Sequence, residues 1–535
     1  MITFDNLKNA SNLKKVLFIL TIFIFSIGLC CFKNLPDNDL WARIIAGAHF
    51  TELHSVLKND FLSYTPTHTW YDHEWGASVF FYNAYKYFGA AGLIVFKGIM
   101  LALTLVFCFL TINLRKLNST TPYNILYYFL MCVCALNTVG NTIRCLLFTC
   151  LFFAAFIYIL ERARLGKNKT LILLPFIMLV WSNIHGGCIS GLGILAVYAF
   201  GEFLNGNEWK KYIYTLLFSI AALFINPYGF EYVKFLFSAA SMNRAYIAEW
   251  LSPFFPSFMY VYLKYKFCLI LMLFAYLFSN IKNKTTFANL DKTKLLVVLM
   301  MTFLSVTHIR HINFFVFTIC TLLYEEFYFT YNFFAEKIKK ALKLKTESNS
   351  KVFSTKEVII YCLLLLVFLP ALGNKKLIQI SETNCPRFAI EFVKINELKG
   401  NLFINFDWGS YAAYKLYPAN LIVMDGRYEE VYNPELLMEI KDFHLVQNDW
   451  KKIIRDYKTD VMILEKRYPV FEKILADKDW TLVFENNLTG VFVPADKVKE
   501  SYLYPVPDSS YYDETVLDTD IDFVRPFKKI INTDK

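Results

Sequence analysis

Charge is what this chain is short of: Asp, Glu, Lys and Arg make up only 19% of its 535 residues. A soluble chain carries roughly a quarter. The apolar share is correspondingly high at 56%, with 53 Phe and 34 Tyr, which excludes a disordered, highly charged segment. A disulfide framework is absent too. Most of the 12 cysteines lie inside apolar runs, as Cys108, Cys150, Cys268 and Cys320 do, where Cys acts as a small hydrophobe. No CxxC zinc pattern and no Gly-rich phosphate loop before a helix occur, so neither a zinc module nor a soluble nucleotide-sugar site is expected. The net charge of +10 sits mostly between apolar runs, which points to membrane topology and away from nucleic acid.

The apolar residues are bunched. Runs at about 16–32, 91–113, 123–139, 143–160, 170–183, 189–204, 212–226, 266–281, 295–308, 312–328 and 357–373 predict a polytopic α-helical membrane protein with about eleven transmembrane helices. The first run has no small-residue cleavage site after it and reads as a retained helix. Lys14-Lys15, Arg162 with Arg164, Lys282 with Lys284 and the lysines of 337–345 fall on one side, and the other side holds far fewer cations. The positive-inside rule then puts the N-terminus in the cytoplasm and the C-terminus outside the cell membrane.

From about 374 the composition becomes that of a soluble domain. Strands at 401–406, 421–424, 461–464, 480–485 and 490–494 alternate with helical stretches at 386–398, 449–457 and 469–476, predicting a small extracytoplasmic α/β domain over 374–499. Residues 500–535 read as an extended acidic tail. The organisation expected is therefore a transmembrane domain over 1–373, with its first outer loop at 33–88, followed by that domain and the tail.

The outer loop carries the densest chemistry. It opens with Pro36-Asp37-Asn38-Asp39-Leu40-Trp41 and continues to Trp70-Tyr71-Asp72-His73-Glu74-Trp75. Asp37 and Asp39 could share a divalent cation (Mg or Mn) or could simply begin a helix. Acids flanked by Trp and Tyr suit carbohydrate, since rings stack on sugar faces and carboxylates accept from hydroxyls; an interfacial aromatic belt is the plainer reading. Asp72 or Glu74 could act as general base on an acceptor hydroxyl.

In order, D-x-D-L-W, D-x-x-S-Y and W-x-x-H-E-W of this loop, Arg144, Trp181-Ser182-Asn183-Ile184-His185-Gly186-Gly187, Glu249-Trp250, Arg310-His311-Ile312-Asn313, Asp407-Trp408-Gly409 and Asp425-Gly426-Arg427 resemble a bacterial family of polytopic membrane proteins related to the GT-C glycosyltransferases. The likeness covers about residues 30–495. It implies an inverting transfer from a polyprenyl-phosphate-linked sugar to a glycan, lipid or protein acceptor of the envelope, at the outer face of the bilayer. It also maps the acidic catalytic or metal-binding group onto Asp37 or Asp39. Asp407-Trp408-Gly409 resembles the W-W-D-Y-G acceptor motif of oligosaccharyltransferases, although Asn405-Phe406 stands where that motif has two tryptophans.

The remaining candidates read two ways each. Arg144 and Arg310, at span ends, suit a lipid phosphate or ordinary headgroups. His185 is a ligand or a hydrogen-bonded turn residue, and Glu249 lies in an outer loop close to the bilayer. Asp407 and Trp408 are expected on a turn that needs Gly409 for backbone freedom, with Trp408 offered for stacking. A lipid-linked-sugar glycosyltransferase is the first reading, a non-catalytic GT-C-like scaffold in polysaccharide assembly the second. A transporter comes last, because the acids lie in outer loops and the sequence shows no clear internal repeat.

Overall fold

The structure, a computed structural model, describes residues 35–115, 142–242, 247–342 and 385–505, together with Leu20, Tyr127, Met131, Arg244, Ile380 and Glu382. The expected spans at 16–32, 123–139 and 357–373, and the tail beyond 505, lie outside the described residues apart from those single positions. Two compact units result: Met1–Lys33 with Val95–Lys375, and Asn34–Ile94 with Lys376–Lys535.

The larger unit is helical. Among the described residues, four helices are long and apolar enough to cross a membrane: Trp75–Ile112, Leu146–Arg164, Gly186–Leu204 and Leu263–Lys282. The first of these begins in the smaller unit and is broken at Gly89, whose φ of 61° only glycine adopts cheaply. Ile309–Leu322 and Tyr324–Ile338 pass the same test together but meet at 65°. The runs at 212–226 and 295–308 appear as the shorter helices Lys210–Ala222 and Lys292–Thr307. Phenylalanines such as Phe176, Phe218, Phe237 and Phe303 stay exposed, which suits a face turned to lipid and not to water.

The smaller unit is built on five strands, β1 Gly400–Ile404, β2 Asn420–Ile422, β3 Val461–Glu465, β4 Trp480–Glu485 and β5 Thr489–Pro494. Their order is β2-β1-β3-β5-β4. β1 runs parallel to both β2 and β3, while β5 is antiparallel to β3 and β4. Every residue of β3 is buried, as expected of a central strand covered on both faces. Asn486-Asn487 turns the chain between β4 and β5, as the sequence suggests.

The crossover from β1 to β2 corrects one expectation. Asp407-Trp408-Gly409 is not a loop turn but the first turn of the helix Phe406–Leu416. A β-α-β connection needs that helix to cover the sheet. Gly409 is required for close approach, since a Cβ there would run into the Met424 carbonyl.

Within this unit the first loop completes the sheet. Leu62 accepts from the Ile422 amide at 2.9 Å, Tyr64 donates back to the Ile422 carbonyl at 3.1 Å, and His68 donates to Val431 at 2.9 Å. The loop thereby satisfies the open edge of β2. The helix Leu40–Leu53 packs on Phe406–Leu416, with the Trp41 ring 5.1 Å from Tyr411 and 4.7 Å from Tyr414. Those contacts set Asp37–Arg43 and Asp60–Glu74 over the chain that leaves β2.

Candidate functional site

In the smaller unit two buried cations organise the acids. Arg427 follows β2 and is fully buried; its Nε donates to Asp425 at 2.9 and 3.0 Å and its Nη1 to Asp60 at 2.6 Å. Its guanidinium carbon lies 4.5 Å from the centre of the Trp70 ring. Burial alone would push the Asp60 carboxyl up, but Arg427, helped by hydrogen bonds from Ser63 and the Leu62 amide, outweighs it and holds Asp60 below the usual range. Arg43, one helical turn beyond Asp39, pairs with Asp72 at 2.5 Å, with Glu430 at 2.9 Å and with Glu74 at 3.3 Å. The Trp70 indole N–H donates to Glu430 at 2.7 Å, so one tryptophan joins the two cations.

His73 sits between two glutamates, with Nδ1 3.0 Å from Glu430 and Nε2 3.8 Å from Glu74. Burial pushes Asp72 up to about 6, with Glu430 and Glu74 adding and Arg43 opposing. Glu430 goes the other way: burial raises it, but Arg43 and His73 together pull it down.

One imidazole nitrogen and two carboxylate oxygens of His73, Glu74 and Glu430 lie within 4.8 Å of one another. That donor set fits a borderline divalent ion such as Mn or Zn. Asp37 and Asp39, the metal ligands expected from sequence, are not part of that group.

Asp37 and Asp39 hold a separate place. Asp37 accepts from the Asp39 amide at 3.2 Å. Asp39 is the N-cap residue of Leu40–Leu53 by position, yet its side chain makes no capping bond. It faces Gly426, where any Cβ would collide with its carboxylate. Asp407 is exposed on the first turn of its helix, takes a hydrogen bond from Asn38 and feels the charges of Asp37 and Arg467. Asp37, Asp39 and Asp407 are therefore neighbours, as are Asp72 and Glu74 through Arg43. Trp408 is only 5% exposed, so its ring packs the domain.

The larger unit carries the other candidates. Arg144 grips Glu249 with both terminal nitrogens. Burial raises the Glu249 carboxyl, but Arg144 and then Arg310 outweigh it and hold it at about 2. Arg244 and Arg310 both lie on Trp250, at 4.5 and 5.2 Å from its ring centre. His308 and His311 meet the same ring edge-on at 5.4 and 6.0 Å. Three guanidinium groups thus gather on one Glu-Trp pair.

His185 stands apart from them. Its Nδ1 accepts from the Gly187 amide at 2.8 Å and from Thr149 at 2.7 Å, while Trp181 donates to Thr149 at 2.9 Å. It is buried and caps the start of the Gly186–Leu204 span, the turn role weighed in the sequence.

No family model matches the chain, and no curated protein does. Solved structures do. In fold, the chain resembles an archaeal oligosaccharyltransferase. Against the Archaeoglobus fulgidus enzyme in its apo form the TM-score is 0.50 at 11% identity, over 84% of this chain and 69% of the other. The same enzyme tethered to an acceptor peptide containing the NVT sequon gives 0.53 at 10%, over 86% and 69%. AglB from that organism, in complex with an inhibitory peptide and a dolichol-phosphate, gives 0.52 at 10%, over 93% and 77%. The likeness is to the fold of that enzyme, and at such identity it carries the fold alone.

Arg43, Arg244 and Glu430 were not among the residues singled out for chemistry. Arg43 did leave a trace, as a lone cation inside the apolar stretch Leu40–Ala48. Glu430 left none, because its role depends on where β2 delivers it.

Proposed function

We propose that this chain is an integral-membrane glycosyltransferase that moves a sugar from a polyprenyl-phosphate-linked donor to an envelope acceptor. The observation that carries the reading is the convergence of Arg144, Arg244 and Arg310 on Glu249-Trp250. Guanidinium forks match phosphate oxygens two at a time, and an indole face holds them in place. The fold likeness to an oligosaccharyltransferase solved in complex with an inhibitory peptide and a dolichol-phosphate supports the same donor class.

In this reading Asp37 or Asp39, with Asp407 beside them, receives the acceptor proton. The acceptor oxygen forms the new bond to the anomeric carbon as the bond to phosphate oxygen breaks, leaving polyprenyl phosphate. A divalent ion, if bound, would be held by His73, Glu74 and Glu430 and would supply positive charge there. The same reading has the chain in the cell membrane with its N-terminus cytoplasmic, about eleven spans over 1–373, and the α/β domain of 374–499 outside.

One observation favours the second reading, a GT-C-like scaffold. Asp60, Asp72, Glu74, Asp425 and Glu430 are all engaged by Arg43 or Arg427, as purely structural acids would be.

The test is transfer from a fluorescent polyprenyl-phosphate sugar by purified protein in nanodiscs, alongside mass spectrometry of lipid-linked sugars in a deletion strain. Asp37→Asn with Asp39→Asn should abolish transfer and leave the fold intact. Unchanged lipid-linked sugars in the deletion strain, with no transfer in vitro, would favour the scaffold. Reporter fusions after Lys345 and Lys399 should read inside and outside respectively.

A further inference from the structure

A second cluster lies far along the chain from these motifs, inside the helical unit, and is made of sulfur. Cys268 and Cys320 stand on two different helices, Leu263–Lys282 and Ile312–Leu322, with their sulfurs 3.6 Å apart. Met272 is one helical turn after Cys268, so both point to one face. Met131 and Tyr127 line the same small cavity with these three. All five are buried, none more than 3% exposed.

We propose that this cavity binds a thiophilic d10 ion, Cu(I) or its analogue Ag(I), through Cys268, Cys320, Met131 and Met272. The spacing is the first argument. A disulfide would require about 2.05 Å between the sulfurs. Two sulfurs on one ion at about 2.3 Å and a tetrahedral angle would stand roughly 3.8 Å apart, close to the 3.6 Å seen. A linear two-sulfur site would need far more, so the spacing suits four donors, and two thioethers are at hand.

Donor chemistry is the second argument. Thiols and thioethers select soft ions, and no carboxylate or imidazole lines the cavity to favour Mg, Mn or Zn. Charge is the third. One Cys thiol loses its proton as the sulfur–copper bond forms, and the monovalent ion then leaves a neutral site. Ionising both thiols would bury a net negative charge among apolar helices at high cost. The remaining thiol and the two thioethers stay as neutral donors.

The test is titration of the intact purified protein with Cu(I) against bicinchoninate, under anaerobic reducing conditions, with ultraviolet absorption followed. One Cu(I) per chain is expected, with a sulfur-to-copper band and one proton released per ion bound. Cys268→Ser with Cys320→Ser should weaken binding at least a hundredfold, and Met272→Leu, a volume-conserving change that keeps the fold, about tenfold. Cys108→Ser with Cys150→Ser, at buried thiols elsewhere, should leave it unchanged. Failure of the unaltered protein to compete with bicinchoninate would overturn the proposal. So would wild-type affinity in the Cys268/Cys320 double variant, or a Cys268–Cys320 disulfide found by mass spectrometry.

Discussion

Replacing Arg427 with methionine tests the organisation of the smaller unit most directly. The guanidinium has no solvent exposure, and the two carboxylates bonded to it, Asp60 and Asp425, are 1% and 0% exposed. Methionine fills much of the volume but leaves both acids buried without a counter-charge. Removing one partner of a buried ion pair costs about 3–5 kcal/mol, and two stranded acids, with the Tyr432 bond at 3.2 Å also lost, argue for the upper end. At roughly 2–4 °C per kcal/mol for a unit of 150–250 residues, unfolding followed by tryptophan fluorescence in detergent should fall by roughly 6–20 °C.

The pH dependence gives an independent check. In the native protein Arg427 holds Asp60 below its usual value of 3.8. That contribution is therefore present above about pH 4 and lost only as pH falls through the lowered value. Without Arg427, burial dominates at Asp60, the folded carboxyl prefers to be protonated, and the variant should gain stability as pH falls from neutral. Adding Asp60→Asn and Asp425→Asn should recover part of the loss at neutral pH. A shift under about 2 °C, or no rescue by the asparagines, would refute the claim that Arg427 is the counter-ion on which the loop's attachment depends.

Asp72, raised to about 6, gives a trend of the opposite kind from native Asp60: the folded state holds its proton more tightly than the unfolded one, so its contribution is full below about pH 4 and declines as pH rises through 6. Asp72→Asn should flatten that decline, seen as a smaller difference in unfolding temperature between pH 5 and 7.5. Gly426→Ala should displace the Asp39 carboxylate and cut transfer at least tenfold with only a few degrees lost in unfolding temperature; full activity would remove Asp39 from the site. Arg144→Gln should raise the inhibition constant of inorganic phosphate or pyrophosphate in the transfer assay by tenfold or more, since each guanidinium–phosphate pair is worth about 1.5–3 kcal/mol; an unchanged constant would mean that Arg144 serves only to hold Glu249.

Much of the architecture was legible along the chain because it is written in local periodicity. Long apolar runs have one cheap solution in lipid, a helix, and the β-rich stretches 461–465 and 480–494 alternate with helical ones closely enough to announce an α/β domain. The hairpin at Asn486-Asn487 and the helix after Pro386 follow from local turn and capping chemistry. Asp407-Trp408-Gly409 misled for the same reason. Read locally, a glycine after a strand is a turn; here it lies in the crossover helix between two parallel strands, and it is glycine because Met424, fifteen positions on, leaves no room for a Cβ.

The sites were legible only as an inventory. Composition located acids and aromatics in the first loop and cations near span ends. Partnership depended on long-range closure. Glu430 reaches Arg43 across 387 positions, Arg427 reaches Asp60 across 367, and Glu249 reaches Arg144 across 105. A buried charge must find its counter-charge wherever the fold delivers one, and no local pattern encodes that distance. The sequence by itself determined where the apolar runs and the strands of the C-terminal sheet fall and which residue types are present. Only the tertiary structure decided that the first loop closes the edge of the C-terminal sheet, that Arg43 and Arg427 engage its acids, and that Arg144 on Glu249 stands beside Arg244 and Arg310 on Trp250, because those choices rest on burial and charge pairing between segments far apart along the chain.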